Sequence, residues 1–430
     1  MGWFHNGRRE SADSGFEVIV ASDVLAPVEM DSIFEKVVET FERKLYDPNL
    51  NGVNWRAVAG QRKADILASR SGEEFESKIN DLIKELRVSH AGFYHESKPR
   101  AAGKIAISAT LFRTDETPPR WVFQDVHPGG AAHRAGIHPG DIVLRVAEKE
   151  IVPPEMPMFP LGETTAVEVE QRDGSHSRAM VEVPKSKTKQ RPLIELEPVS
   201  FRRLDGDIGW LKVCMFPGAI GIDLAHDIDK AIKVLDCERL IIDLRGNTGG
   251  GIGCLRLMSY LTPGRLRVGY SVTRKRAESS FRKELLPVFS RIPDRKIGLL
   301  RLIFTFGLRD QSVCIATENL GPQPFHGRTV LLVNEHSASS SEMVAAFAAE
   351  HQFATIVGTR TAGRLLAGHS VRVGHGYRVA LPVAAYYTWE GKLLEGVGVA
   401  PDVEEPFSVQ AIREGRDVQL QAAIRVVRDL

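Results

Sequence analysis

The sequence predicts an α/β multidomain protein with a helical N-terminal region, a small β-rich domain and a larger α/β domain. Between residues 29 and 88, apolar side chains recur at steps of three and four residues, which is typical of helices with one buried face. From 104 to 186, short alternating runs separated by turn residues indicate strands. From 193 to 408, apolar strand-like runs alternate with amphipathic helices, as in an α/β layer.

The helical region contains two apolar-periodic segments joined by a loop. The first places Phe34, Val37 and Phe41 on one face, and the second does the same with Phe75 and Ile79. The intervening YDPNLNGVNW combines Pro, Asn and Gly, which favours a loop. We therefore predict an N-terminal extension over 1–28 and a helical domain over 29–100, with SKPRAAG (97–103) as its boundary.

The β-rich domain, predicted over 104–186, contains five runs with strand character. They are KIAISATLF, RWVFQDV, DIVLRVAEKEI, TAVEVEQRDG and SRAMVEV. AAHRAG, between the second and third runs, is predicted to be a short helix. The polar segment SKTKQRP (186–192) that follows is predicted to be a linker.

The α/β domain, predicted over 193–408, is defined by alternating elements. Its predicted strands are DIGWLKVCMF, RLIIDLRG, TVLLVNE and FATIVG, and its predicted helices are IDLAHDIDKAIKVLD and SEMVAAFAAEHQ. GYRVALPVAAYYTW (376–389) alternates like a hairpin. Residues 409–430 are predicted to form a C-terminal helix.

The composition excludes several functional classes. A formal net charge of +1 gives no reason to expect nucleic acid or an anionic membrane as the main partner. No run of about 18 apolar residues occurs, so we predict no membrane span. The arginine-containing start lacks an apolar segment behind it and does not resemble a signal peptide. The expected location is cytoplasmic, or periplasmic or extracellular if an export signal is missing from this chain.

The cysteines do not indicate a metal site or a disulfide framework. Cys214, Cys237, Cys254 and Cys314 are scattered without CxxC spacing, which favours four separate thiols in a reducing compartment. No group of His, Cys and carboxylate residues has metal-ligand spacing either. We expect no metal and no cofactor.

The segment VNEHSASSSEMVAAF (333–347) places four serines between a strand-like run and a helix-like run. A helix that begins near Ser341 puts Ser339 and Ser340 beside free N–H groups and the positive end of the helix dipole. A nucleophilic serine there gains a backbone donor for a developing oxyanion. The alternative is that Ser340 or Ser341 only caps the helix.

Three other segments carry candidate chemistry. DLRGNTGGG (243–251) lacks the lysine of a phosphate loop, so it is either a tight turn or an oxyanion donor. His90, in VSHAGFYHE, and His336 are the candidate bases for a serine nucleophile. Glu395, in LEGVGVAPDVEEPF, is by composition only a loop carboxylate.

Taken together, these segments resemble the S41 peptidases, the family of C-terminal processing proteases and the tricorn protease core. DLRGNTGGG is similar to the family's "DLR.N.GG", LLVNEHSASSSEMVAAF to its "LVN..SASASE...A", and EGVGVAPDV to its closing "GVxPD". Residues 126–151 resemble a PDZ domain in the pattern "PA..AG(L/I).PGD.I..V.G". The resemblance implies a PDZ-like domain and a ClpP/crotonase-like α/β catalytic core.

The resemblance implies Ser339 as the nucleophile, the N–H of Ser340 with that of Gly249 or Gly250 as the oxyanion hole, and Ser341 as the helix cap. The processing-protease branch uses a lysine base in "G.TFGKG..Q", but GTRTAGRLLAG has Arg364 there, and Gly368 replaces the glutamine. Arginine cannot act as a base near neutral pH. The tricorn branch uses a Ser-His-Ser-Glu tetrad, which falls here on Ser339, His90, Ser89 and Glu395.

Two segments near the PDZ-like pattern differ from the family. The glycine-rich carboxylate-binding loop corresponds here to Ala106, Ile107, Ser108 and Ala109, whose backbone N–H groups are candidates for binding a peptide C-terminus. The insertion VPPEMPMFPLG (152–162) is expected to cover or reshape this groove. Residues 282–310 match no motif, and we interpret them as a lid or a substrate wall.

The leading hypothesis is a serine endopeptidase or C-terminal processing peptidase that acts on peptides or unfolded chains. The resemblance implies no cofactor and leaves assembly into a homo-oligomer open. A second hypothesis is a catalytically silent S41-like protein that binds peptides or another ligand, since the family lysine is missing. A third is an acyl hydrolase that uses the same serine on small esters.

Overall fold

The structure is a computed structural model and describes residues 25–97, 100–185, 197–295 and 312–430. Its helices are α1 (Pro27–Lys44), α2 (Trp55–Leu67), α3 (Gly72–Lys84), α4 (Gly103–Ile107), α5 (Ala131–Arg134), α6 (Ile222–Leu235), α7 (Cys254–Leu261), α8 (Arg274–Ala277), α9 (Ser340–His351), α10 (Val409–Arg413) and α11 (Val418–Asp429). Within the described ranges, no helix is both long and apolar enough to cross a membrane.

In the described ranges, the strands fall into three larger sheets and one short pair. They are β1 (Gly92–His95), β2 (Arg100–Ala102), β3 (Ala109–Arg113), β4 (Trp121–Val126), β5 (Ile142–Val146), β6 (Lys149–Glu150), β7 (Met158–Pro160), β8 (Thr164–Glu170), β9 (His176–Glu182), β10 (Val199–Arg203), β11 (Ile208–Val213), β12 (Arg239–Asp243), β13 (Arg267–Thr273), β14 (Val288–Phe289), β15 (Val313–Ala316), β16 (Thr329–Val333), β17 (Thr355–Gly358), β18 (Leu366–Gly374), β19 (Tyr377–Thr388) and β20 (Val403–Glu404).

The central sheet has the order β10-β11-β12-β16-β17-β20, and its strands are parallel from β11 to β20. Alternate residues of each strand face opposite sides. In β12, Leu240 and Ile242 pack with α6, α7 and α9, whereas Ile241 packs against α11. Because β12 and β16 are adjacent and parallel, the loops that follow both strands meet at one edge of the sheet.

The N-terminal helices do not have a core of their own. Residues of α1 to α3, such as Phe34 and Ile79, share one apolar cluster with Phe93 of β1 and with Val379 and Leu381 of β19. This packing holds the segment after α3 against the hairpin formed by β18 and β19. The β-rich domain has its own sheet, β3-β4-β5-β8-β9, with β6 paired to β5.

Three local predictions are wrong. KIAISATLF is not a single strand, because its first half forms α4 and Ser108 ends that helix with a φ of +58°. Residues 376–389 are not a hairpin by themselves, because β19 is one long strand that pairs with β18. The C-terminal segment forms two helices, α10 and α11, instead of one. Residues 1–24 of the predicted extension (1–28), the linker over 186–192, and residues 296–310 of the segment 282–310 lie outside the described residues.

Candidate active site

The turn after β16 presents Ser339 at the start of α9. Ser339 is half-buried and has the backbone angles φ +56° and ψ −117°, which are rare for a residue with a side chain. Its N–H donates to Glu342 Oε2 at 3.0 Å, and its side chain does not cap the helix. The Oγ of Ser339 therefore stays free of the helix end that it adjoins.

The two following serines fasten this turn to the glycine loop after β12. Ser340 Oγ donates to the carbonyl oxygen of Gly250 at 3.0 Å, and Ser341 Oγ donates to that of Asn247 at 3.0 Å. The expectation that Ser341 caps the helix is therefore wrong. The helix begins at Ser340, and both hydroxyl groups are used across the sheet edge instead.

The glycine loop lies against Ser339. Of its two candidate oxyanion donors, the N–H groups of Gly249 and Gly250, only one is free of another acceptor in the described ranges. Gly249 has a φ of +91°, and a Cβ there would lie 2.5 Å from the Cβ of Ser339, so a larger residue does not fit. The N–H of Gly249 donates to Asn247 Oδ1 at 2.8 Å. Among the described residues, the N–H groups of Gly250 and Ser340 have no acceptor.

A buried ion-pair network fixes the start of the glycine loop. Arg245 donates to both oxygens of Asp243 and to both oxygens of Asp417 at the start of α11. Burial alone would raise the pKa of Asp243, but Arg245 and Lys212 outweigh it and hold this pKa well below the ordinary range. These ion pairs anchor the loop. Removing Arg245 would leave the buried carboxylate of Asp243 without its main partner, which is unfavourable.

Ser89, His90 and Glu395 form a connected relay, although 306 positions separate Ser89 from Glu395. Glu395 accepts from Ser89 N at 2.6 Å, from Ser89 Oγ at 2.9 Å and from Leu365 N at 3.0 Å. Ser89 Oγ lies 2.7 Å from His90 Nδ1. Because Ser89 donates its one hydroxyl proton to Glu395 Oε2, it must accept from Nδ1–H of His90.

This proton arrangement decides what His90 can do. When Nδ1 carries the proton of the neutral imidazole, Nε2 has a lone pair and is the basic atom. His90 is exposed, but partial loss of hydration beside the surrounding protein, together with the positive charge of Arg364, lowers its pKa from the ordinary value of 6.5. The imidazole is therefore neutral at neutral pH, and Nε2 is able to accept a proton.

Replacing Arg364 with glutamine is expected to raise the pKa of His90. The change removes a positive charge that disfavours imidazolium, so His90 becomes protonated at a higher pH than in the wild type. An NMR titration of the His90 ring measures the shift, with Arg364→Lys as the matched variant that retains the charge. An unchanged or lower pKa in Arg364→Gln would contradict this account of the site.

Glu342 connects the Ser339 turn to the loop that carries Arg364. This carboxylate is fully buried and accepts from Thr361 Oγ1 and Gly363 N through Oε1, and from Ser339 N and Arg364 N through Oε2. The next amide, that of Leu365, donates to Glu395. The N–H groups of Gly363 and Arg364 thus bind Glu342, and that of Leu365 binds Glu395. These contacts connect the Ser339 turn to the Glu395–Ser89–His90 relay through one loop.

The structure connects the predicted tetrad residues through this loop, but it does not join Ser339 to His90. No hydrogen bond links Ser339 Oγ to His90 in the described part of the chain. His336, the second candidate base, donates through Nε2 to the carbonyl oxygen of Leu111 at 3.1 Å, so it contacts the β-rich domain. A Cβ built at Gly368 would lie 3.4 Å from the Cβ of His90, which is an ordinary van der Waals contact.

The four residues predicted for the peptide groove do not form an open loop. Ala106 and Ile107 are buried within α4, Ser108 ends that helix, and Ala109 starts β3. The insertion over 152–162 contributes β7, which pairs with β2, and its Phe159 is buried in the same cluster as Ala106. The chain's own β7 therefore packs beside these residues. In the described ranges, no group of three or more His, Cys, Asp or Glu residues has the arrangement of a metal site.

Sequence reasoning missed the supporting residues Glu342, Asn247 and Asp417. Each acts through contacts with backbone groups or with residues far along the chain, which local patterns do not show. The one available signal was the position of Glu342, three residues after Ser339, where a helix-initial carboxylate commonly accepts a backbone N–H.

Comparison with known proteins agrees with this architecture. Residues 207–405 match the model of peptidase family S41. A carboxy-terminal-processing protease of Bartonella bacilliformis is 26% identical over 67% of this chain and 59% of its own length. A putative tricorn protease homolog 2 of Streptomyces coelicolor is 25% identical over 90% of this chain and 31% of its own length. The chain thus spans between about a third and three fifths of these two relatives.

Solved structures show the same fold across nearly the whole chain. A photosystem II D1 C-terminal processing protease superposes with a TM-score of 0.54 and 17% identity, covering 94% of this chain and 98% of that one. Mature CPAF complexed with lactacystin superposes with a TM-score of 0.57 and 15% identity, covering 94% and 100%. The part of the chain that matches the model of peptidase family S41, residues 207–405, contains the Ser339 turn, the glycine loop and Glu395.

Proposed function

We propose that this protein is a serine peptidase that cleaves peptides or unfolded protein chains through an acyl-enzyme. Ser339 is the nucleophile, His90 its general base, and Ser89 with Glu395 the relay that orients His90. The observation that carries the proposal is the Glu395–Ser89–His90 relay, which leaves Nε2 of His90 as the basic atom. The supporting comparison is the family match over residues 207–405.

In the proposed first step, His90 Nε2 removes the proton of Ser339 Oγ as this oxygen attacks the scissile carbonyl carbon. Negative charge develops on the carbonyl oxygen, which the N–H groups of Ser340 and Gly250 receive. These donors are fixed in advance because Ser340 Oγ holds the carbonyl of Gly250. Of the two glycines predicted for this role, we favour Gly250, because the N–H of Gly249 is already bonded.

The imidazolium that forms then protonates the leaving amine, and the acyl group stays on Ser339 Oγ. Water, deprotonated by His90, attacks the acyl carbon in the second half of the reaction and releases the new carboxylate. Glu395, through Ser89, stabilises the positive charge on His90 during both halves. The contact between Ser339 and His90 forms with substrate, as catalytic hydrogen bonds in unliganded enzymes are often long.

The substrate class is inferred from the relatives. The Bartonella protein is described as a carboxy-terminal-processing protease, and the same activity on peptide or protein C-termini is proposed here. We do not propose that the carboxylate loop of the PDZ-like domain binds the substrate C-terminus, because the corresponding residues Ala106 and Ile107 are helical and buried. The surface of this domain is proposed only as a place where the substrate can lie.

A catalytically silent binding protein is the second candidate. The observation that favours it is the missing hydrogen bond between Ser339 and His90 among the described residues. In that case the cleft binds a peptide without cleaving it. The relay argues against this alternative, because a binding cleft has no need for a histidine whose proton is fixed on Nδ1.

One experiment separates the two candidates. The wild-type protein is treated with a fluorophosphonate, the labelled residue is identified by mass spectrometry, and cleavage of an unfolded protein substrate is followed in parallel. We expect label on Ser339 and cleavage that the reagent abolishes, with the exposed-serine variant Ser279→Ala behaving like the wild type. Label on another serine, or substrate binding without label and without cleavage, would refute the peptidase assignment.

A further inference from the structure

Arg364 lies beside both parts of the candidate site. Its backbone N–H donates to Glu342 Oε2 at 2.8 Å, and the N–H of Ser339 donates to the same oxygen at 3.0 Å, so the two residues adjoin across one atom. The next N–H, that of Leu365, donates to Glu395 of the relay at 3.0 Å. The backbone of Arg364 is therefore held between the Ser339 turn and the relay.

The guanidinium group of Arg364 is exposed and has no acceptor in the described part of the chain. The two adjacent carboxylates are already engaged. Glu342 accepts from one hydroxyl group and three N–H groups, and Glu395 accepts from Ser89 and from the N–H of Leu365. Neither accepts from the guanidinium group. Its forked N–H donors and its full positive charge thus remain for a ligand.

The segment that begins at Arg364 runs along His90. Loss of hydration and the charge of Arg364 both lower the pKa of His90, so the guanidinium group is near enough to act on the imidazole. A Cβ built at Gly368, four residues later in β18, would lie 3.4 Å from the Cβ of His90. Because Arg364 and His90 are both exposed, they face the side from which a substrate reaches Ser339.

A positive charge at this place is unfavourable for the proposed chemistry unless a counter-charge arrives. The attack of Ser339 converts His90 to an imidazolium, which Arg364 repels. A substrate that brings an anionic group to Arg364 offsets this repulsion while the reaction takes place. The guanidinium group is also the side chain whose planar fork matches a carboxylate with two parallel hydrogen bonds. The position therefore fits a carboxylate carried by the substrate.

We propose that Arg364 is a specificity-determining residue that binds a carboxylate of the substrate beside the scissile bond, so that acidic peptides are the preferred substrates. The carboxylate belongs either to an Asp or Glu side chain or to the C-terminus of the chain being cut. This inference rests on the proposed peptidase function and adds to it the class of peptide. Arg364 binds the substrate and takes no part in the transfer of protons.

Cleavage of matched peptides by the full chain tests this inference. Cleavage sites in an unfolded protein are mapped by mass spectrometry, and one cleaved segment is synthesised with both ends blocked and with either Glu or Gln on each side of the scissile bond. A further pair contains Gln and ends in a free carboxylate or in an amide. We expect at least one carboxylate peptide to exceed its neutral partner in kcat/KM by about fivefold, which is typical of an exposed ion pair. The preference should shrink as NaCl is added, because salt screens exposed charges.

The Glu and Gln peptides report on a side-chain carboxylate, and the pair that differs at its end reports on the C-terminus. Arg364→Gln should bring the ratio of the two kcat/KM values close to one, Arg364→Lys should keep a smaller preference, and Arg364→Glu should reverse it. A ratio is used because the effect of each variant on His90 applies to both peptides. Arg360→Gln is the matched control, since it removes an exposed arginine of the same loop that donates to the carbonyl oxygen of Val397. It should keep the wild-type ratio.

Equal cleavage of every carboxylate peptide and its neutral partner by the wild type would overturn the inference and leave the peptidase assignment standing. A preference that persists in Arg364→Gln, or that falls as far in Arg360→Gln, would overturn it too. Absence of all cleavage, with no fluorophosphonate label on Ser339, would instead refute the peptidase assignment and this inference with it.

Discussion

Replacing Ser339 with alanine is expected to reduce the rate of peptide cleavage by about 10⁴-fold or more, with little change in stability. The substitution removes the oxygen that is proposed to form the acyl-enzyme and leaves the proposed oxyanion donors in place. Ser339 Oγ does not cap α9, so its removal leaves no helix N–H unpaired. Cleavage of an unfolded substrate and thermal unfolding measure the two effects.

Ser279→Ala is the control for this variant because Ser279 is an exposed serine outside the site. It should retain wild-type cleavage and wild-type labelling. Retention of substantial cleavage by Ser339→Ala, with label still incorporated, would contradict the choice of nucleophile. A large loss of stability would instead show that the turn needs the hydroxyl group, and the loss of activity could then no longer be attributed to chemistry.

Replacing His90 with alanine is expected to lower cleavage by about 10⁴-fold as well, because no other described group takes over proton transfer. His336→Ala is the informative comparison, since the Nε2 of His336 donates to the carbonyl of Leu111. We expect it to retain most activity. Full activity in His90→Ala combined with loss in His336→Ala would reverse the two assignments.

The effects of the two substitutions should not add. In the proposed mechanism Ser339 and His90 act in one proton transfer, so the double variant Ser339→Ala/His90→Ala is expected to be about as inactive as either single variant. Cleavage rates of the four proteins measure the interaction. Strictly additive losses would show that His90 contributes through some role other than activating Ser339.

The pattern of the α/β core could be predicted because its strands are buried on both faces and bounded by turn residues. The runs that became β12 and β16, and the helices α6 and α9, are long enough for their period to be clear. The parallel order of the sheet then places the glycine loop and the serine turn at one edge.

Two elements could not be predicted because tertiary contacts decide them. The apolar residues of KIAIS are compatible with a buried strand or with a buried helix, so the pattern alone does not distinguish the two. In the structure Ala106 and Ile107 are buried in a helix that packs against β7. Residues 376–389 are predicted to alternate like a hairpin, but β19 continues as one strand through a register shift opposite Gly368, and the carbonyl of Pro382 accepts from Tyr46 N.

In the candidate site, too, sequence motifs predict some features, whereas others depend on tertiary contacts. Motif positions suffice to nominate Ser339, His90, Ser89 and Glu395, because the resemblance transfers them residue by residue. Sequence cannot distinguish Gly249 from Gly250 as the oxyanion donor, because the choice depends on which N–H already donates to Asn247. Nor does it show that Glu342 and Glu395 divide the amides of one loop, since those contacts join segments that are distant along the chain.

The central claim, that neutral His90 activates Ser339, is tested most directly by the pH dependence of fluorophosphonate labelling. Labelling requires unprotonated His90, so the rate should fall as the pH is lowered through the pKa of His90, which lies below its ordinary value of 6.5. Arg364→Gln should move this inflection to higher pH, and His90→Ala should label slowly without it. The same inflection persisting in His90→Ala would contradict the account.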